Sequence, residues 1–347
     1  MTTTIEPVND PVAQQAASLP RKTVIQMLRL DKYSALYLWA AFMIIFGMSQ
    51  DSFISRPTFI TVFNEKVVIG ILALAFLIPL AAETFDLSVG NMMAFSVVIT
   101  DVLTRDTDLP PGINAVIAIL ACACVGFVSG FIVVKLGVNS FIATLGMSQV
   151  LSGLCIAFSG NRALNGLLSK GYTEFGTRKL LFDLPLYFYL FLLLAAFLWY
   201  VLEHTAMGRY LFAVGGNREA ARLAGLNTNR ITWGALVASA VIAGFAGTVH
   251  TWKAGGSYSG TVGPGFLFPA VAAVFFGASQ LKGRPNVWGM MIALYTLAFG
   301  VYGLQLTLKS AQWVQSLFEG ISLLVAVAFA SRHLVIRARK RRAAATI

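Results

Sequence analysis

Little in this chain could make or break a covalent bond. Its three histidines, His204, His250 and His333, are scattered, and none stands at metal-ligand spacing from another. No G-x-x-x-x-G-K-[ST] phosphate loop occurs, and no nucleophile stands beside a base. No catalytic residue, resident metal or bound cofactor is therefore expected. What the sequence offers is hydrogen bonding on apolar ground. Asp86, Ser88, Asn91, Asn139, Thr144, Gln149 and Gln305 punctuate strongly apolar stretches. Glu319 lies deepest, eight residues past Ala311, or roughly 12 Å into its run at 1.5 Å per residue. A carboxyl that deep is functional by default. The alternative, a protonated or hydrogen-bonded Glu319 facing neighbouring helices, is equally open. Asp86, just ahead of an apolar run, reads first as a helix N-cap. Contact with a polar ligand is compatible with capping if the helix end lines a path.

The composition says what frame holds these groups. Apolar residues make up 57% of the 347 and charged residues 12%, with a mean hydropathy of +0.74. Soluble domains carry about a quarter charged residues. The fold expected is all-α and membrane-embedded. Ten apolar segments can be marked, at 33–50, 67–83, 87–104, 113–135, 140–158, 185–202, 231–252, 266–281, 286–306 and 311–330. Several fall slightly short of the roughly 20 residues of a perpendicular span. Residues 1–32 read as a polar tail, 33–330 as about ten transmembrane helices, and 331–347 as a basic tail. With both termini inside, seventeen of the 26 Lys and Arg residues fall on the cytoplasmic side, as the positive-inside rule asks. That places the segment 203–230 in the cytoplasm. The net charge of +11 is mostly this asymmetry plus Arg337–Arg342, so no nucleic-acid partner is expected; the tail suits anionic lipid. Cys122, Cys124 and Cys155 lie within apolar runs, and no disulfide is expected. Gly126-x3-Gly130 and Ala240-x3-Gly244 are small-residue faces that permit close helix approach. Trp252, Tyr258 and Trp313 read as an interfacial aromatic belt.

The most distinctive segment runs from His204 to Asn227, HTAMGRYLFAVGGNREAARLAGLN. It is polar and helix-capable between two apolar runs. Gly215-Gly216-Asn217 breaks what precedes it. Asn217 should cap a new helix, with Glu219 in the first turn, where the dipole favours an anion. Ala220, Ala221 and Leu223 propagate that helix, and Gly225 can end it as a left-handed C-cap. Two turns are too few to be stable alone, so the helix needs a surface to lie on. In a basic cytoplasmic loop that surface is expected to be a soluble partner, with Ala220 and Ala221 small because the partner lies close.

This pattern, T-x-x-G-R-x-x-x-A-x-G-G-N-x-x-A-A-x-x-x-G from Thr205 to Gly225, resembles the ATPase-coupling loop of sugar-importing ABC transporter permeases. The branch is the one that handles ribose, xylose, galactose and related small carbohydrates. Phe85-Asp86-Leu87-Ser88-Val89-Gly90 matches the D-L-S-V-G signature of that family. Ser140-Phe141-Ile142-Ala143-Thr144-Leu145-Gly146 is a third match, and the resemblance extends from about residue 35 to about 330. The family usually has glycines just before D-L-S-V-G. Here Glu83-Thr84-Phe85 stand instead, which leaves the local chain path open.

The resemblance implies a multi-pass permease subunit of the bacterial inner membrane, working as a homodimer or paired with a second permease. A cytoplasmic ABC ATPase would hold the ATP and magnesium, and an extracytoplasmic sugar-binding protein would deliver the cargo. Gly208, Arg209, Gly215, Gly216, Asn217, Glu219, Ala220, Ala221 and Gly225 would form the coupling loop. Sugars are read by hydrogen bonds, so Asp86, Ser88, Asn91, Asn139, Thr144 and Glu319 are expected along the translocation path. A secondary transporter or channel is the rival, but it calls for more buried ionisable groups and leaves the 204–225 segment unexplained. A membrane scaffold or receptor is a third possibility.

Overall fold

The computed structural model describes residues 30–160, 162, 168–255, 262–278, 280, 283–308 and 313–325. Apart from residues 30–32, the expected tails lie outside these, as do Tyr258 and His333. The described chain is built of helices: α1 Leu30–Ser49, α2 Arg56–Glu65, α3 Val67–Ala81, α4 Val89–Asp106, α5 Pro111–Val134, α6 Ser140–Ser159 and α7 Lys170–Thr177. There follow α8 Leu186–His204, α9 Ala206–Gly216, α10 Arg218–Leu223, α11 Thr228–Lys253, α12 Gly263–Ala278, α13 Val287–Thr307 and α14 Trp313–Val325.

Each of the ten apolar segments falls on one of these helices. Five helices (α5, α6, α8, α11 and α13) are long and apolar enough to cross a membrane unaided. A sixth span results if α2 and α3, bent by 43° at Lys66, are taken together. The part of α1 beyond its kink at Tyr33, α12 and α14 are shorter.

α3 is apolar on every side, and all of it is buried, Val67 to Ala81. A helix with no polar face has to sit in the middle, and α4, α8, α11, α12 and α13 pack around it. The most extensive pair is α5 with α11, where the two small-residue faces pack on each other. A methyl on Gly126 would stand 2.5 Å from the Cβ of Ala240, and one on Gly244 would stand 3.1 Å from that of Cys122. Trp233 locks the pair's end, its Nε1 donating to Phe127 O at 3.1 Å. The three cysteines are free.

Contacts sort the loops into two sets. On one side Gly215 lies against Ala81, and Arg284 pairs with Glu203 at 2.9 Å while stacking over Phe212. On the other, Lys253 pairs with Glu65 at 2.8 Å, Arg56 with Asp183 at 2.6 Å, and the Tyr187 hydroxyl donates to Asn64. Trp252 belongs to this second set, but it is no belt residue: it is 7% exposed, roofed by Gly176 of α7 and packed against Tyr172 and Phe175. Trp313 is 62% exposed, as a belt residue would be.

Candidate functional site

The helix at Arg218–Leu223 is closed at both ends by the residues its sequence suggested. Asn217 is extended, and its Oδ1 accepts the Ala220 N–H at 3.0 Å. At the far end the Leu226 N–H bonds Ala221 O and the Gly225 N–H bonds Arg222 O, each at 3.0 Å, with Gly225 at φ +86°. This is the two-bond closure whose left-handed position glycine fills without strain. Glu219 pairs with Arg222 along the exposed face at 2.9 Å.

The faces of α10 differ from expectation at one residue. Ala220 is exposed, but Ala221 is 5% exposed and belongs to the chain's own core. Its small size serves internal packing. The residue that projects is Leu223, 85% exposed. Two residues on a helix turn about 200°, so Ala221 inward puts Leu223 outward. Sequence reading took Leu223 merely as a helix former; its signal was an apolar side chain in a six-residue helix with room to bury only one face.

Gly208 and Gly215 are buried where α9 is pressed closest: methyl groups there would stand 2.1 Å from Leu202 O and 2.4 Å from Ala81 O. Gly216 is exposed with nothing near, and Arg209 and Gly225 are also exposed.

The contact with Ala81 brings the loop to the α3–α4 elbow, which carries Asp86. The carboxylate of Asp86 is buried, and its Oδ1 accepts the Ser88 N–H at 3.1 Å and the Ser88 hydroxyl at 2.5 Å. Asp86 thus closes a local turn onto Ser88 and is not the N-cap expected of it: Ser88 itself holds the N-cap position of α4, and its side chain makes no capping bond. The start of α6 seals the elbow. Phe85 N–H donates to Ser140 Oγ at 3.1 Å, and Leu87 N–H to Thr144 Oγ1 at 3.0 Å. Asn91 reaches the same helix, its Nδ2 donating to Ser148 O at 2.8 Å and Oγ at 2.9 Å. Phe85 lies among Phe76, Phe141 and Phe275, stacked on the last. Gly90 meets the carbonyl of Gly263, so α12 begins against this cluster.

Asp86, Ser88, Asn91 and Thr144 thus converge. Asn139 stands at the exposed start of α6, where its Oδ1 accepts the Phe141 N–H at 2.9 Å. Glu319 belongs elsewhere. It accepts a hydrogen bond from Gln315 Nε2 at 2.9 Å and lines a small, mostly apolar cavity that Lys66 also lines, with Ile69, Pro269 and Leu294 among the walls. Lys66 begins α3 and the elbow ends it, a separation of about 22 Å for fifteen residues. A ten-span path puts Lys66 on the outer side, and nothing in the sequence paired it with Glu319. Sequence reading also passed over Asp101, which is fully buried in α4 with neither oxygen hydrogen-bonded among the described residues.

Comparisons with known proteins identify the family. The family model described as branched-chain amino acid transport system / permease component matches residues 58–331. The fructose import permease protein of Rhizobium meliloti is 29% identical over 320 residues, 88% of each chain. The ribose import permease protein of Escherichia coli is 29% identical over 307 residues, covering 86% of this chain and 92% of its own. An autoinducer 2 import system permease protein of Yersinia pestis is 24% identical over 316 residues, 87% and 94% of the two chains. No solved structure matches.

Proposed function

The chain belongs to the branched-chain amino acid transport system / permease component family, and from that premise we propose that it is the membrane subunit of an ABC importer for a small sugar. Fructose, ribose and allose permeases stand among its relatives. It is a multi-pass inner-membrane protein. In this reading the chain spans the membrane about ten times with both termini inside. The two sets of contacting loops support that count, because each joins segments that a ten-span path puts on one side.

The observation that carries the reading is α10: a helix too short to persist alone, capped at both ends, with Leu223 uncovered on its outer face. An apolar side chain held out on a rigid knob is what a groove on a cytoplasmic ATPase would take. The ATPase binds ATP and magnesium; the permease does no covalent chemistry. Gly215 against Ala81 supplies a rigid link from that knob to the α3–α4 elbow, where Asp86, Ser88, Asn91 and Thr144 gather. ATP-driven motion at α10 then shifts the elbow and moves the permease between its inward-open and outward-open populations. A soluble sugar-binding protein on the far side delivers cargo, and a second permease copy or paralogue completes the path.

Uptake of labelled ribose and fructose by cells expressing the chain with and without its ATPase tests this. Uptake that needs the ATPase supports it; ATPase-independent uptake favours a secondary transporter or channel.

A further inference from the structure

Glu83 holds a position that works against the chain in two ways. It ends α3 in the same turn that ends α10. Thr84 N–H bonds Pro79 O and Glu83 N–H bonds Leu80 O, each at 2.9 Å, just as Leu226 and Gly225 bond Ala221 and Arg222. In α10 the left-handed residue is Gly225 at φ +86°; in α3 it is Glu83 at φ +52°. A side chain there crowds its Cβ against the following carbonyl, which glycine avoids. The second penalty is electrostatic, since a carboxylate just past a helix C-terminus meets the negative end of the helix dipole. Glu83 is exposed, and among the described residues its carboxylate has no hydrogen-bond or ion-pair partner. Of the neighbouring loop's arginines, Arg222 pairs with Glu219 and Arg218 bonds Asn229, and among the described residues none of the four pairs with Glu83.

The location points to what repays these penalties. Glu83 follows two residues after Ala81, whose carbonyl touches Gly215 of the coupling loop. We propose that Glu83 is a second docking contact for the ATPase, its carboxylate received by a basic side chain beside the groove that takes α10. This rests on the reading of α10 given above. A basic side chain is the partner chosen because a cation offsets the carboxylate and the negative helix end together, whereas a neutral hydroxyl of a sugar answers only the carboxylate. Residues of this strained kind gather at functional contacts, where the surroundings outweigh the strain.

The test uses the full-length permease in nanodiscs and the ATPase subunit that co-purifies with the wild-type chain. Glu83→Gly removes strain and charge together; it should raise the melting temperature by a few degrees while weakening ATPase binding about tenfold. Glu83→Gln removes the charge and keeps the strain; it should weaken binding to a similar degree without the gain in melting temperature. In both, the difference from wild type should shrink at high salt. Leu223→Asp reports on the parent reading. If it abolishes binding while both Glu83 variants bind like wild type, Glu83 is no contact and the docking role of α10 stands. If Leu223→Asp also binds normally, the docking reading itself fails. A Glu83→Gln variant that binds the ATPase normally but shifts the KM for sugar would show that the carboxylate faces the cargo, and would overturn the proposal.

Discussion

Gly215 near the end of α9 and Ala81 at the end of the central helix meet backbone to backbone, so closely that a single methyl on Gly215 would stand 2.4 Å from the Ala81 oxygen. Carbon and oxygen cannot approach that far, so something must shift. Gly215→Ala should therefore push α9 off α3, at a cost of about 1–3 kcal/mol by the measure of overpacked cores. Uptake should fall severalfold at unchanged membrane abundance. The matching control is Gly216→Ala, where the added methyl meets nothing within 4 Å. Equal uptake in the two variants would remove Gly215 from the transmission route.

On α10, substitutions at Ala221 and Leu223 should separate stability from docking. Ala221→Trp overfills the chain's own core and should lower the melting temperature of the isolated permease. Leu223→Asp changes a side chain that is 85% exposed; it should melt like wild type yet lose the ATPase on co-purification. Thermal melts beside pull-downs decide, and a stable Ala221→Trp protein that merely fails to hold the ATPase would restore the simpler view that Ala221 faces the partner.

Thr144→Val keeps the shape of the side chain and removes the oxygen that accepts the Leu87 N–H. Leaving that amide unsatisfied in a buried elbow costs about 1–3 kcal/mol. Asn139→Ala, which removes only the exposed cap of α6, should cost about 1 kcal/mol or less and leave uptake near normal. If the two variants behave alike in melting and transport, the elbow is not held by Thr144.

Lys66 and Glu319 line one small cavity from different helices. No direct ion pair joins them, but if the ammonium serves the carboxylate as a counter-charge across the cavity, Glu319→Gln should be harmful, where a neutral, self-contained glutamate would make it silent. Lys66→Met should be harmful as well. The double variant should be less damaged than the sum of the singles, with a coupling of about 0.5–1 kcal/mol in a melting cycle. Strict additivity would dissociate the two residues.

The ten-span path makes a direct prediction for labelling. A cysteine at Asn217, in a background with the native cysteines replaced, should resist impermeant thiol reagents in intact cells. One at Lys170 on α7 should react. The opposite pattern would invert the assigned sides.

What could be read from the sequence was local. The cap by Asn217 and the turn at Gly225 lie within ten residues of each other, and both are fixed by short-range backbone bonding. Apolar runs located ten helices because burial in lipid or protein demands the same composition. Pairwise facts were hidden. Ala221 points inward because the core across from it is built from distant segments. Gly215 must be small because of Ala81, more than a hundred residues earlier. Small-residue faces on α5 and α11 were visible singly, but nothing in either said that they face each other. Trp252 carries the signature of an interfacial residue and is covered only because α7 folds over it.

The buried axis and its neighbour also bear on how the chain enters the bilayer. α3 is apolar all round and can partition readily, even though in the finished protein no lipid touches it. α4 falls short of the standard for crossing unaided; Asn91, Ser96, Thr100 and Asp101 on it are all buried in protein. A translocon sampling α4 alone would find it too polar to release into lipid. Joined to α3 by an elbow of seven residues, it can leave only as the second limb of a hairpin, and its polar face must be held until α6 and α11, made later by the ribosome, arrive to cover it.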